Sequence, residues 1–161
     1  MEIAIISDTH LPRGSRALPA ACLRRLQAAD LIVHAGDLLA LEVLEELRSL
    51  GDLVAVRGNV DDAPVRAVLP ETAMVRIGDR RIAVIHDAGP AANRLRRLRV
   101  RFAEADAVIF GHSHIPLHER SGDGFQIFNP GSPTDRRRQP QHTMGVCHAD
   151  EDLEFELVEL D

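Results

Sequence analysis

The chain has 161 residues, 45% of them hydrophobic and 27% charged, the arithmetic of one globular domain with enough apolar side chains to bury a core. Its 19 basic residues are all arginine and are outnumbered by 25 acidic ones, and the formal net charge of -6 argues against a protein that coats nucleic acid. Aromatics make up 3%, all five of them phenylalanine, too few for a single-strand stacking platform, and no stretch reaches the roughly 18 apolar residues of a membrane span.

Residues 2–7 form a short apolar run that stops at Asp8, the pattern of a buried strand ending in a polar loop. Over 17–29, Leu18, Ala21, Cys22, Arg25 and Leu26 recur at helical spacing. The unit then repeats, with a strand at 31–35 ending at Gly36-Asp37, a helix over 39–50, and a strand at 53–57 ending at Gly58-Asn59. Alternation of this length implies parallel strands joined by helical crossovers. After Pro70, two alternating segments at 73–77 and 81–85 flank Gly78-Asp79, a tight hairpin signal that brings antiparallel pairing into the second half. A helix over 91–104 precedes a strand at 107–110 that stops at Gly111-His112. Further strands are expected near 115–119, 125–128, 142–148 and 153–159, and 130–141 reads as a loop. Cys22 and Cys147 have no metal-type spacing and read as free thiols. With no signal-peptide pattern after Met1, one cytoplasmic domain over residues 1–161 is expected.

The informative fact is positional. Asp8 and His10, Asp37, Asn59, His86, and His112 with His114 all fall just beyond the last apolar residue of an expected strand. In an open α/β sheet the carboxyl ends of the strands line one crevice, so these side chains can converge. Each of them alone is ordinary turn chemistry, but five successive strand ends carrying polar donors are hard to assign to independent turn preferences. Seven oxygen and nitrogen donors are too many for one tetrahedral ion and suit two divalent ions bridged by a carboxylate. His34, His118, His142 and His148 lack this company and are left outside the metal shell.

Asp8-Thr9-His10, Gly36-Asp37, Gly58-Asn59, His86 and Gly111-His112-Ser113-His114 resemble, in order and spacing, the blocks of the calcineurin-like metallophosphoesterases. The resemblance spans residues 3–134, and Asn129-Pro130-Gly131-Ser132 looks like a block of the short bacterial and archaeal phosphodiesterase branch. It implies a four-layer αββα sandwich of two mixed sheets flanked by helices, where periodicity alone gives α/β with mixed pairing. It also implies that Asp8, His10, Asp37 and His114 hold one ion, and that Asp37, Asn59, His86 and His112 hold the other. The expected cofactors are two divalent metal ions, manganese first, with nickel, iron, zinc, cobalt or magnesium as other candidates. The activity so implied is phosphodiester hydrolysis by in-line attack of a bridging hydroxide on phosphorus, with Asn59, Asp61 and His112 as the catalytic candidates. The partner is a small phosphate-ester substrate, with no membrane and no stable nucleic-acid complex, and self-association is left open. A phosphomonoesterase or small-nucleotide hydrolase of the same fold is one alternative. A non-catalytic scaffold resembling the eukaryotic retromer subunit is the other.

Two positions depart from the family pattern. Larger members carry His after Gly-Asn to assist the leaving group, but here Val60 follows Asn59 and cannot donate a proton. Asp61 then either orients a solvent molecule or an imidazole, or is a solvated loop acid. His86 is followed by Asp87 where Gly is usual, so that carboxylate either tunes His86 or repels an anionic substrate. Arg94, Arg96, Arg97, Arg99 and Arg101 read as a solvated helix face, whereas Arg136, Arg137 and Arg138 follow the Asn129 block and are candidates to clamp a phosphate oxygen.

Overall fold

Strands that are apolar at every position need cover on both faces, and the computed structural model, which describes residues 1–161, supplies it. In chain order the elements are β1 (Glu2–Ile6), α1 (Ala20–Ala28), β2 (Leu31–His34), α2 (Leu41–Leu50), β3 (Leu53–Ala55), α3 (Ala63–Val68) and β4 (Thr72–Ile77). They continue with β5 (Arg80–Ile85), α4 (Arg94–Arg101), β6 (Ala107–Ile109), β7 (Leu117–Arg120), β8 (Gln126–Asn129), β9 (Thr143–Ala149) and β10 (Leu153–Glu159). One five-stranded sheet has the order β10-β9-β1-β2-β3 and the other β4-β5-β6-β8-β7. Strands β1, β2 and β3 are mutually parallel, as are β5, β6 and β8, while β9, β10, β4 and β7 pair antiparallel. These are the two mixed sheets implied by the family resemblance.

The twofold period of a strand explains the layers. Ala4 and Ile6 of β1 pack against the helices, in a cluster with Leu26 of α1 and Leu44 of α2, whereas Ile3 and Ile5 point the other way into the space between the sheets. From the second sheet, Ile82, Val84, Ile109 and Phe128 fill that space from the opposite side. Their neighbours Ala83, Ile85, Val108 and Ile127 turn outward beneath Leu98 of α4. Each aliphatic side chain buried in these layers contributes about 1.5–3 kcal/mol. Cys22 and Cys147 are free and buried within them, and burial pushes both thiols up to about 12, so neither is a reactive thiolate. No helix is long and apolar enough to cross a membrane.

The expected hairpin is present, with Ile77 paired to Arg80 across Gly78-Asp79 and Gly78 at a positive φ of 56°. Helix α3 was not expected. Its start is marked in the sequence by Asp62, whose side chain accepts from the Val65 N–H at 3.1 Å, and by a proline in the first turn. Six residues are too few to display a helical period, which is why apolar spacing missed it.

His34 closes β2 and is wholly buried. Its Nδ1 accepts from the Gly36 N–H at 3.1 Å, which leaves the proton on Nε2 to be donated to Thr9 Oγ1 at 3.0 Å. Burial, with the adjacent His86 charge, pushes its pKa from 6.5 down to about 3. Between those values the unfolded chain binds a proton that the folded chain does not, so stability falls as pH drops through that window. The full difference is on the order of 5 kcal/mol. In metal-free protein, urea unfolding between pH 7 and pH 4 should therefore lose stability more steeply for the wild type than for His34→Asn. The amide keeps an acceptor for Gly36 and cannot charge. Equal slopes would remove His34 as the source of the acid sensitivity.

Candidate metal centre

The parallel strands of both sheets end at one edge, and the side chains beyond their last residues meet there. Asp8, His10 and His114 bring their ligand atoms within 4.8 Å of one another, and so do Asp37, His86 and His112. Asp37 joins the two groups, because its Oδ2 is 3.4 Å from His10 Nε2 and 3.1 Å from His86 Nε2. Asn59 belongs to the second group, with Oδ1 3.0 Å from both His86 Nε2 and His112 Nδ1. All seven residues expected to be ligands are thus brought together.

The backbone is bent to achieve this. Asp8, His10, Asp37, His112 and His114 all have positive φ, between 48° and 69°, a conformation that costs a non-glycine residue on the order of 1–3 kcal/mol. Glycines make room beside them. A Cβ on Gly58 would overlap the Asp37 carboxylate, and one on Gly111 would overlap Ser7 Oγ and crowd Asp8.

Hydrogen bonds fix which atom of each side chain faces the centre. The Ala35 carbonyl accepts from His86 Nδ1 at 2.7 Å, leaving Nε2 aimed at Asp37. The Asp135 carbonyl accepts from His114 Nδ1 at 2.5 Å, leaving Nε2 aimed at Asp8 Oδ1, 3.5 Å away. Asp8 Oδ2 accepts from Ser7 Oγ at 2.7 Å and from the His112 N–H at 3.0 Å, and Asp37 Oδ1 accepts from the Val60 N–H at 2.9 Å. Asp8 Oδ1 and His114 Nε2 are buried and have no hydrogen-bond partner.

These orphaned atoms make the residues a fit for cations. A buried carboxylate oxygen facing an imidazole lone pair is costly unless a positive charge stands between them. Burial raises the Asp8 pKa against the lowering pull of His86 and His114. For Asp37, hydrogen bonds from His10, His86 and Val60 overcome burial and hold the carboxyl well below the usual range. His86 is held above its ordinary value because the Asp37 hydrogen bond and the Asp8 and Asp37 charges outweigh burial. A proton on His86 thereby supplies positive charge that a metal ion would supply instead. His114 is lowered, chiefly by burial, with Arg137 and His10 adding to it.

Asp61 is not the solvated loop acid that was one of its two expected readings. It is buried, and its carboxylate accepts from three backbone N–H groups: Leu39 at 2.8 Å on Oδ1, and Asp37 at 3.2 Å and Gly58 at 2.6 Å on Oδ2. These contacts tie the loops bearing Asp37 and Asn59 together. Asp87 accepts from Gly89 N–H at 2.8 Å, within its own turn. The arginines of α4 are not a plain solvated face. Arg97 donates to the carbonyls of Ala88, Pro90 and Ala92, and Arg94 donates to that of Gly89. Of the loop arginines, Arg137 is close enough for its charge to act on His114 and Asp135, while Arg136 donates to the Gln139 carbonyl.

Asp135 and Thr134 support the centre, with Ser132, without having been singled out in the sequence. Burial of Asp135 is outweighed by Arg16, His114 and His10, which hold its carboxyl below the usual range. The block that ends at Ser132 was the nearest signal.

The model of the calcineurin-like phosphoesterase superfamily domain matches residues 1–152. The probable metallophosphoesterase MJ0623 of Methanocaldococcus jannaschii is 35% identical over 164 residues, covering 100% of this chain and 82% of that protein. The phosphodiesterase YfcE of Escherichia coli is 29% identical over 153 residues, covering 82% of this chain and 79% of its own. Among solved structures, wild-type Vps29 of Entamoeba histolytica in complex with zinc superposes with a TM-score of 0.78 at 25% identity, covering 100% of both chains. The matched family model and the full-length likeness to MJ0623 agree with the converged side chains, and the chain belongs to the calcineurin-like phosphoesterase superfamily.

Proposed function

We propose that the chain is a phosphodiesterase working with two divalent cations. Asp8, His10, Asp37 and His114 would hold one ion, and Asp37, Asn59, His86 and His112 the other. The observation that carries this reading is the pair of partnerless buried ligand atoms, Asp8 Oδ1 and His114 Nε2, next to a carboxylate shared by both groups. The phosphodiesterase names of relatives such as YfcE support the diester over the monoester. Imidazole and carboxylate without thiolate suit manganese, with nickel, iron, zinc, cobalt and magnesium as further candidates.

Divalent cations bound there would withdraw charge from phosphate oxygens and lower the pKa of a solvent molecule between them. The chain's own residues do the rest. His112 and Asn59 are exposed, unlike the other five candidate ligands, so they are the ones a phosphoryl group would touch first. Arg137 supplies a guanidinium for a non-bridging oxygen. A cavity of about 200 Å³ lined by Asn59, His86, Asp87, Glu71, Arg57 and Arg66 gives room for the leaving group, with Glu71 3.9 Å from Arg57. Val60, 45% exposed beside Asn59, offers no proton, so departure depends on the leaving group's own stability. Esters of acidic alcohols such as phenols are favoured for that reason.

The likeness to Vps29 favours one second reading, a protein-binding scaffold, and activity separates the two. Metal-stripped protein given Mn, Ni, Zn, Fe, Co or Mg in turn should hydrolyse an aryl phosphodiester faster than the aryl monoester. A folded protein inactive with every metal would instead support the scaffold. Asp37→Ala and His112→Ala should each lower turnover by about a hundredfold or more while the fold is kept. Wild-type turnover in both would remove the ligand assignment.

Asp61 gives a separate expectation. Asp61→Ala leaves three N–H groups without their acceptor and should lower unfolding stability by about 3 kcal/mol or more, with Asp61→Asn losing less. Denaturant titration of metal-free protein reads this directly. An unchanged midpoint in Asp61→Ala would show that the carboxylate does not tie these loops.

A further inference from the structure

The loop after β8 reaches back across the chain to hold the loop after β1. Ser132 Oγ donates to the Asp8 carbonyl at 2.9 Å, and Thr134 Oγ1 donates to the Thr9 carbonyl at 2.6 Å. Asp135 N–H donates to Ser132 Oγ at 2.8 Å, which locks the next turn in place. Asp135 thereby meets both histidines of one half of the centre. Its carbonyl accepts from His114 Nδ1, and its Oδ2 lies 3.2 Å from His10 Nδ1. That contact is at ion-pair distance but out of line for a hydrogen bond, and His10 Nδ1 has no other partner. Arg16 approaches the same oxygen to 3.3 Å and holds the carboxylate where His10 can reach it.

The other half has a carbonyl like the one behind His114 but no equivalent of the carboxylate beside His10. His86 leans on a neutral carbonyl, that of Ala35, and His112 turns Nδ1 to Asn59. A carboxylate behind a ligating imidazole fixes its tautomer and raises its basicity, whereas a carbonyl does only the first. The two halves therefore differ at His10, the one imidazole with a carboxylate beside its Nδ1.

We propose that Asp135, steadied by Arg16, is a positioning residue whose carboxylate keeps the Nδ1 proton on His10, as its backbone carbonyl does on His114, so that both Nε2 atoms aim at the ion and the carboxylate makes this half of the centre the tighter one. The proposal rests on the two-ion reading given above. Arg16 and Asp135 contact no candidate ion themselves and act through the two histidines.

The test is calorimetric titration of manganese into metal-free full-length chain, comparing wild type with Asp135→Ala, Asp135→Asn and Arg16→Gln. Wild type should take up two equivalents of unequal affinity. Asp135→Ala should weaken the tighter one by about 10–100-fold and leave the other as in wild type. Asp135→Asn keeps an acceptor oxygen without the charge and should fall between the two, and Arg16→Gln should show a smaller loss of the same kind. Circular dichroism of the metal-free variants checks that they fold, and if Asp135→Ala does not, Asp135→Asn carries the comparison. Wild-type affinities in every folded variant, or equal weakening of both equivalents, would overturn the positioning role while leaving two-ion binding intact. No manganese uptake by wild type would overturn both.

Discussion

Two carboxylates stand at a seam where water cannot reach them, and the rest of the molecule is arranged around that fact. Asp8 is fully buried and Asp37 nearly so, and an unpaired charge in such surroundings costs several kcal/mol. The fold answers with imidazoles: His10 and His86 on Asp37, and His114 on Asp8. It still leaves Asp8 Oδ1 and His114 Nε2 without partners. Imidazoles can compensate carboxylates by taking up protons, but they surrender that role readily to a divalent cation, since the same nitrogens are good ligands in their neutral form.

Bringing these groups together requires loops that no isolated strand would adopt. Five candidate ligands sit at positive φ, and two nearby glycines have no space for a side chain. The strain is carried by the three apolar layers, above all the one between the sheets, where Ile3, Ile5, Ile82, Val84, Ile109 and Phe128 interlock. Asp61 and His34 are the polar counterparts of that core. Each uses buried hydrogen bonds to backbone N–H groups to set the course of the loop that carries Asp37.

What was legible in the sequence follows from this division of labour. Strands buried on both faces write themselves as unbroken apolar runs, and ligands placed at their ends appear as polar punctuation, so the layers and the seven converging side chains could be read. Helix α3 could not be read from spacing because it is too short to show a period, although Asp62 and Pro64 mark its start. Asp61 was legible as an acid in the right block but not as a buried one, because burial is decided by the Asp37 and Leu39 loops folding over it. Asp135 left no trace, since its partners His10 and Arg16 lie more than a hundred positions away and no local pattern encodes such a contact.

The centre is also lopsided with respect to solvent, and that decides the direction of approach. His10 and His114 are 2% and 1% exposed and lie beneath the loop that carries Asp135. His112 and Asn59 are open, with exposed Val60 and Ile115 close to them in sequence. The side of Asn59 and His112 is therefore the one open to an incoming molecule, and a cavity lined by Arg57, Arg66 and Glu71 adjoins Asn59 there. The acids near that side are engaged elsewhere: Asp61 by three N–H groups, Asp87 by its own loop, and Glu71 by the Arg57 and Arg101 guanidinium groups, each 3.9 Å away. The architecture thus separates its tasks: the buried half holds charge in place, and the open half is where an incoming molecule meets the centre.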